Sequence, residues 1–321
     1  MFLLEIIYQF FNKLDRRFKE KKKFKSHLPV ISVGNLSVGG SGKSQLVIWL
    51  IKSLQTDFNI LVLTRGFNRI SKLDLSSKKQ ALTVENFGDE PVMISNYLSN
   101  GEIIVSKNRT NFLIQNQDSY KGFIVILDDG YQHYRLERDL DILIVDDETS
   151  KSNRTLPVGK LREKPEEIIR ANVVLYTSIN SYNYARQFAS PEAKFFDVKF
   201  LIDSIYNYKN EVVLLDNKYK NLLVTGIANP HRVLNSLKEF GVNINEFIEF
   251  NDHHNYTEND VQNLLKKNFD FILTTEKDFV KLKEFDSIIN RLLFIKMKTI
   301  INDEIKLLEF VKKKINDKQL K

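Results

Sequence analysis

From residue 30 onward, short runs of aliphatic and β-branched residues alternate with stretches whose apolar positions recur at helical spacing. The runs are VISVG (30–34), NILVLTRG (59–66), EIIVS (102–106), FIVILDD (123–129), DILIVDD (141–147) and NVVLYT (172–177). Continuous apolar runs of this length predict parallel strands buried on both faces and joined by crossover helices, hence an α/β doubly wound sheet. A second set, LLVTGIA (222–228), FIEF (247–250), FILTTEKD (271–278) and LLFIKM (292–297), predicts a smaller α/β lobe. Between the sets, FFDVKFLID and NEVVLLDN flank a turn-rich stretch at 207–210 and predict a β-ribbon joining the lobes. The cleft between two lobes is a common place for a ligand.

Ahead of the first strand, MFLLEIIYQFFNKL sorts onto a helix with Leu3, Ile7, Phe10 and Leu14 on one face. Glu5, Gln9, Asn12 and Arg16 follow the opposite stripe. The apolar run is too short to span a bilayer, which takes about 20 mostly apolar residues. A signal peptide would carry its positive charge before the apolar run, not after it. The pattern predicts an amphipathic helix lying in a membrane interface, with the adjoining Lys/Arg cluster held by anionic headgroups. The alternative is a core-packing helix followed by a solvated charge run.

Charge sharpens this picture. The chain of 321 residues has a net charge of +7, and residues 13–25 alone hold eight basic and two acidic residues. Residues 1–25 carry +5 and residues 311–321 carry +4, which leaves −2 for residues 26–310. The folded body is therefore not a basic nucleic-acid-binding surface, and no nucleic-acid partner is expected. With 42% hydrophobic and 28% charged residues the composition is that of a globular chain. The absence of cysteine excludes a disulfide scaffold and any Cys-ligated metal centre.

The most informative stretch is GNLSVGGSGKS, residues 34–44, between a predicted strand and the helical spacing of QLVIWLIKSL. Such a loop turns backbone N–H groups toward a polyphosphate and ends at a helix N-terminus, so the anion meets an amide nest and a helix dipole together. Ser37, Val38, Gly39, Gly40, Ser41 and Gly42 form the cradle, Lys43 reaches the β- and γ-phosphates, and the Ser44 hydroxyl ligates Mg²⁺. Ser37 stands where the common phosphate-loop pattern has its first glycine. Asp128 and Asp129 end a predicted parallel strand, where carboxylates sit beside such a loop, and supply further hard oxygen ligands for Mg²⁺. The nearest approach to a guanine-specific Asn/Thr-Lys-x-Asp box, TEKD at 275–278, has the wrong spacing, so ATP is the expected nucleotide.

At this point the sequence resembles the tetraacyldisaccharide 4'-kinase family over nearly its whole length. The resemblance rests on VISVGNLSVGGSGKS, TRGF (64–67), GDEP (88–91), LDDGYQHYRLERDLDILIVD (127–146), LPVGKLRE (156–163), TGIANP (225–230), FNDHH (250–254) and TTEKD (274–278). Ser37 before VGG becomes a point of agreement, while Ser44-Gln45 stands where the family usually has Thr-Pro. The resemblance implies transfer of the ATP γ-phosphoryl group to the 4'-hydroxyl of a tetraacyldisaccharide 1-phosphate, giving lipid IV-A, by a peripheral protein on the cytoplasmic face of the inner membrane. It also implies that Asp89 of GDEP is the base and His253 its partner from the second lobe, a pair expected to form when the lobes close. Arg65, Arg109 and Arg162 are candidates for neutralising phosphate, because guanidinium binds it through two parallel hydrogen bonds. For Arg162 an ion pair with the neighbouring Glu163 competes with that role.

The expected organisation is a membrane-interface helix and basic segment over 1–25, a P-loop NTPase-like kinase core over 26–195, a ribbon linker over 196–220 and a smaller α/β lobe over 221–321. Two other readings are a P-loop enzyme of different substrate and a nucleotide-gated membrane adaptor that transfers nothing. The GDEP and DDGYQH motifs count against the first. A pure switch has no need of the pair Asp89 and His253, which counts against the second.

Overall fold

The computed structural model describes residues 2–67, 69–216 and 218–320. Its strands are β1 (Val30–Asn35), β2 (Asn59–Thr64), β3 (Leu75–Ser76), β4 (Gly101–Val105), β5 (Phe123–Leu127), β6 (Leu140–Val145), β7 (Val173–Tyr176), β8 (Lys194–Asn207), β9 (Asn221–Thr225), β10 (Glu246–Glu249), β11 (Phe271–Thr275) and β12 (Leu292–Ile301). They hydrogen-bond into one 12-stranded sheet in the order β10-β9-β11-β12-β8-β7-β6-β1-β5-β2-β4-β3. From β7 to β4 the pairing is parallel throughout, and every residue of β1 and β6 is buried, which is why these segments read as unbroken apolar runs. The fold is the expected α/β class. The two-residue β3, antiparallel to β4 at the edge, has no counterpart in the apolar pattern.

The ribbon differs from expectation in its partner. β8 starts parallel to β7 at residues 194–197, then runs antiparallel to β12 from Val198↔Ile301 to Asn207↔Leu293. The segment after the 207–210 turn pairs with it only through the single bridge Tyr206↔Val212. A local hairpin is thus replaced by a long-range one, and β12, parallel to β11 on its other side, carries the sheet into the second half.

Helices of the first half include α1 (Phe2–Lys21), α2 (Lys43–Leu54), α3 (Val84–Phe87), α4 (Asp89–Ser95) and α5 (Arg109–Asn116). α2 is apolar nearly all round and is buried along its length, from Leu46 to Leu54. The last helix, Glu304–Gln319, does not stay with the smaller lobe expected over 221–321. Leu307, Val311 and Ile315, spaced at i and i+4, pack in the same core as α2, and the Trp49 indole donates to Glu304 Oε1 at 2.8 Å.

α1 sits inside out. Its polar stripe faces the body: Glu5 is only 6% exposed and accepts from the Thr155 N–H at 2.8 Å. Its apolar stripe faces outward, with Leu3, Phe10, Phe11 and Phe18 each more than 60% exposed. The core-packing alternative for the apolar face is therefore not what the structure contains. No described helix is long and apolar enough to cross a membrane.

Candidate active site

β1, β5 and β6 are adjacent parallel strands, so the segments that leave their carboxyl ends meet on one edge of the sheet. The loop after β1 turns on two glycines with positive φ, Gly39 (+117°) and Gly42 (+95°), and Gly42 caps α2. A Cβ on Gly42 would lie 2.4 Å from the Phe200 ring of β8, whereas Gly39 and Gly40 stand in open space. Ser37 is held from both sides, at 3.2 Å by Asn35 Nδ2 and at 3.0 Å by the Thr149 hydroxyl. Residues 160–162 run alongside as a strut, with Val38 N–H donating to Lys160 O at 2.8 Å and Arg162 N–H to Leu36 O at 2.7 Å. Lys43 extends from the first position of α2, its Nζ 3.0 Å from Asn35 Oδ1 and 3.6 Å from Asp129 Oδ1. Ser41 is buried, and its hydroxyl has no hydrogen-bond partner among the described residues.

The two carboxylates after β5 behave oppositely. Asp128 is 3% exposed and accepts from the Thr64 hydroxyl at 2.9 Å; burial first, then the charges of Glu90 and Asp129, push its pKa up to about 7. Burial also opposes the charge on Asp129, but Lys43 and the Arg162 guanidinium, 2.7 and 2.9 Å from its two oxygens, bring it down to about 2. Asp129 has φ +47°, a left-handed backbone that turns its side chain toward those cations. Arg162 therefore pairs with Asp129, while the neighbouring Glu163 pairs with Arg170 at 2.8 Å and accepts from Gln132 and Tyr134.

The other two arginines part company. Arg109 lies under the corner, 7% exposed, donating to the Asp128 carbonyl at 2.6 Å, so it supports the carboxylate turn from below. Arg65 is exposed beside it, and its charge helps to depress the Arg109 pKa after burial and against the pull of Asp129 and Asp128. His133 accepts or donates at 2.7 Å with the Thr110 hydroxyl; burial and then Arg109 drive its pKa down to about 3, which keeps the ring neutral.

Asp89 opens α4 directly after Gly88 (φ +91°). His253 comes from the second half, where its N–H donates to Gly226 O at 3.0 Å in a left-handed turn of φ +59°. Its Nδ1 lies 3.0 Å from both oxygens of Asp89, so the pair implied by the resemblance is made in this structure. The Lys277 ammonium, a donor only, sits 3.1 Å from Nε2, which assigns the ring proton to Nδ1, facing Asp89. Burial would raise the Asp89 pKa, but the His253 hydrogen bond and the charges of Lys277 and Lys281 overcome it and hold the carboxyl at about 2. A cavity of about 200 Å³ opens beside the pair, lined by Phe67, Val84, Gly88, Asp89 and His253. Glu90 stands between this centre and the carboxylates after β5, since it faces Lys277 at 3.6 Å and its charge acts on Asp128.

A family model for tetraacyldisaccharide-1-P 4'-kinase matches residues 1–316. The chain belongs to that family. It is 33% identical to the tetraacyldisaccharide 4'-kinase of Bdellovibrio bacteriovorus over 81% of each chain, and 32% identical to that of Aquifex aeolicus over 89% of each. The crystal structure of an "apo" form of the Aquifex aeolicus enzyme in complex with ATP matches with a TM-score of 0.79 at 28% identity, over 98% of both chains. In this 4'-kinase the resemblance carried by eight motifs is thus upheld, and so is the P-loop NTPase-like sheet.

Four residues of this 4'-kinase with evident work in the site had no assignment from sequence: Asn35, Glu90, Lys277 and Lys281. All but Lys281 lie inside or adjoin the quoted motifs GNLS, GDEP and TTEKD. In TTEKD, Asp278 accepts from the Gly226 N–H at 2.9 Å, which fixes the turn bearing His253, and Lys281 reaches Asp89 Oδ2 at 3.3 Å. His254, next to His253, pairs with Asp260 at 3.1 Å and stays outside the cavity lining.

Proposed function

We propose that the chain transfers the γ-phosphoryl group of ATP to the 4'-hydroxyl of a tetraacyldisaccharide 1-phosphate, forming lipid IV-A in lipid A biosynthesis. The observation that carries this reading is the Asp89–His253 contact at 3.0 Å beside a cavity. The acceptor oxygen attacks the γ-phosphorus as the bond to the ADP oxygen breaks. Asp89 accepts a hydrogen bond from the acceptor hydroxyl, aims it, and takes up its proton late, as the new P–O bond completes. A carboxylate held at about 2 orients more than it deprotonates, which suits a loose phosphoryl-transfer transition state that asks little push from the nucleophile. His253 fixes the carboxylate's orientation through Nδ1–H, and Lys277 fixes the tautomer of His253.

Residues 37–44 hold the phosphates, with Lys43 on the β- and γ-groups and Arg162 and Arg65 as further cationic contacts. The donor set Ser44, Asp128 and Asp129 consists of hard oxygens and fits Mg²⁺, which takes only one or two carboxylates besides phosphate and water. When bound, the ion neutralises charge on the β- and γ-phosphates. The protein is read as peripheral on the cytoplasmic face of the inner membrane, and the exposed stripe of α1, with Phe10, Phe11 and Phe18, and the following basic run support its seating on an anionic surface. The division at 26–195, 196–220 and 221–321 describes a kinase core, ribbon and second lobe that share this site, with helix Glu304–Gln319 packed back on the core.

Incubation with labelled ATP and a tetraacyldisaccharide 1-phosphate, followed by separation of the lipids, tests the reaction. A bisphosphorylated lipid is expected, and its absence with an intact acceptor overturns the reading.

A further inference from the structure

The polar stripe of α1 makes contacts that seating in a membrane does not require. Tyr8 Oη and Asn12 Nδ2, one helical turn apart, both donate to the main-chain carbonyl of Arg162, at 3.1 and 2.9 Å. A carbonyl oxygen has two lone pairs, and α1 fills both. One turn earlier, Gln9 donates to the Thr155 hydroxyl at 3.0 Å, and Glu5 accepts from the Thr155 N–H at 2.8 Å. Thr155 and Leu161 are bridged, so α1 holds the strut directly at Arg162 and through Thr155 at Leu161.

That strut is the one alongside the phosphate loop. Arg162 N–H donates to Leu36 O, Val38 N–H donates to Lys160 O, and Ser37 bridges Leu161. The Arg162 side chain meanwhile holds Asp129, which faces Lys43. A continuous set of hydrogen bonds thus leads from two side chains of the outward-facing helix to the loop and to its carboxylate.

We infer that Tyr8 and Asn12 are positioning residues for the nucleotide site, acting through Arg162, and that α1 braces the phosphate loop in addition to contacting the membrane. The inference rests on the reading of residues 37–44 as the ATP site. It changes what removal of α1 means: loss of activity in such a truncation would reflect a slack phosphate loop as well as a lost anchor.

The test uses the full-length enzyme and the variants Tyr8→Phe, Asn12→Ala and the double variant. Equilibrium ATP binding, the KM values for ATP and for detergent-dispersed acceptor, and sedimentation with phosphatidylethanolamine–phosphatidylglycerol vesicles are measured on each. One neutral hydrogen bond corresponds to about two- to tenfold in a binding constant. Each single variant should therefore weaken ATP binding by about that factor, and the double variant by more. The acceptor KM and vesicle sedimentation should stay near wild type, a split that a general loss of structure would not give. Unchanged ATP affinity in the double variant overturns the inference, whatever happens to vesicle binding. If the double variant does not fold, Tyr8→Phe decides alone, since it removes a single hydroxyl. A wild-type enzyme that binds ATP but does not phosphorylate the lipid would sink the proposed reaction and leave this series readable.

Discussion

Replacing Asp89 with Asn should remove a defined, pH-dependent share of stability. The Asp89 carboxyl is 4% exposed and held at about 2, against an ordinary 3.8. Burial works against this, so the lowering comes from His253, Lys277 and Lys281. An acid with a depressed folded pKa contributes stability that is fully present above the unfolded value and is lost as pH falls through the folded one. Nearly two pH units correspond to roughly 2 kcal/mol. Little solvent screening applies at this burial. The assay is urea unfolding followed by the fluorescence of the single tryptophan, Trp49, which is buried beside Glu304. Wild type and Asp89→Asn are compared between pH 5 and pH 2, below the ordinary histidine range, so that the carboxylate is the group being titrated. The stability gap should be largest at pH 5 and shrink by roughly 2 kcal/mol on reaching pH 2. A gap that stays flat, or that widens as pH falls, refutes the claim that the His253 hydrogen bond and the two lysines outweigh burial at Asp89.

Gly42→Ala should cost about 1–2 kcal/mol for the left-handed backbone plus about 1–3 kcal/mol for overlap with the Phe200 ring, read as a lower urea midpoint and weaker ATP binding; wild-type values for both would show that the loop can relax away from β8. Phe10→Ser with Phe11→Ser should release the enzyme from anionic vesicles in a sedimentation assay, and full retention would remove the apolar stripe from membrane seating. Because Asp128 lies near 7, it is protonated in a growing fraction of molecules as pH falls below that value, so the Mg²⁺ needed for half-maximal activity should rise between pH 8 and pH 6; a requirement independent of pH would exclude Asp128 from the ligand set.

What the sequence disclosed depended on how local the signal was. Buried parallel strands announce themselves as apolar runs, and β1, β5 and β6 were legible for that reason, as was the loop between β1 and α2. β8 was legible as a strand, but its partner β12 lies some 90 residues downstream, and no local pattern distinguishes a long-range antiparallel pair from a hairpin closing at 207–210. α1 was legible as amphipathic, yet periodicity does not say which face docks. That is decided by Thr155 and the Arg162 carbonyl, which offer hydrogen bonds to Glu5, Tyr8, Gln9 and Asn12 instead of an apolar groove. Lys277 and Lys281 were missed because their meaning comes from Asp89, close to 190 residues away and brought to them only by the packing of α4 on helix Glu276–Leu282.

The electrostatics of Asp89 belong to the junction between the halves of the molecule and not to either half. Its stabilising partners His253, Lys277 and Lys281 all come from the second half, and the same seam carries the Lys277–Glu90 pair and the Tyr97–Glu276 hydrogen bond at 2.5 Å. Separating the halves would hydrate Asp89 and Lys281 at once, so the pairs lose their mutual attraction but regain solvation, and the net cost stays far below that of leaving one buried charge unpaired. The carboxyl would return toward its ordinary range as it opened to water. Apposition of the halves thus does two things together: it brings His253 to the carboxylate, and it sets cations beside a carboxyl whose burial would otherwise push it toward the neutral form. Lys281→Met takes a cation from Asp89, whose pKa should rise, and also from Asp278, 3.1 Å away, which holds the turn bearing His253. Turnover that survives Lys281→Met at pH 7 would mean that the Lys281 charge is dispensable and that His253 and Lys277 suffice to hold the carboxylate in place.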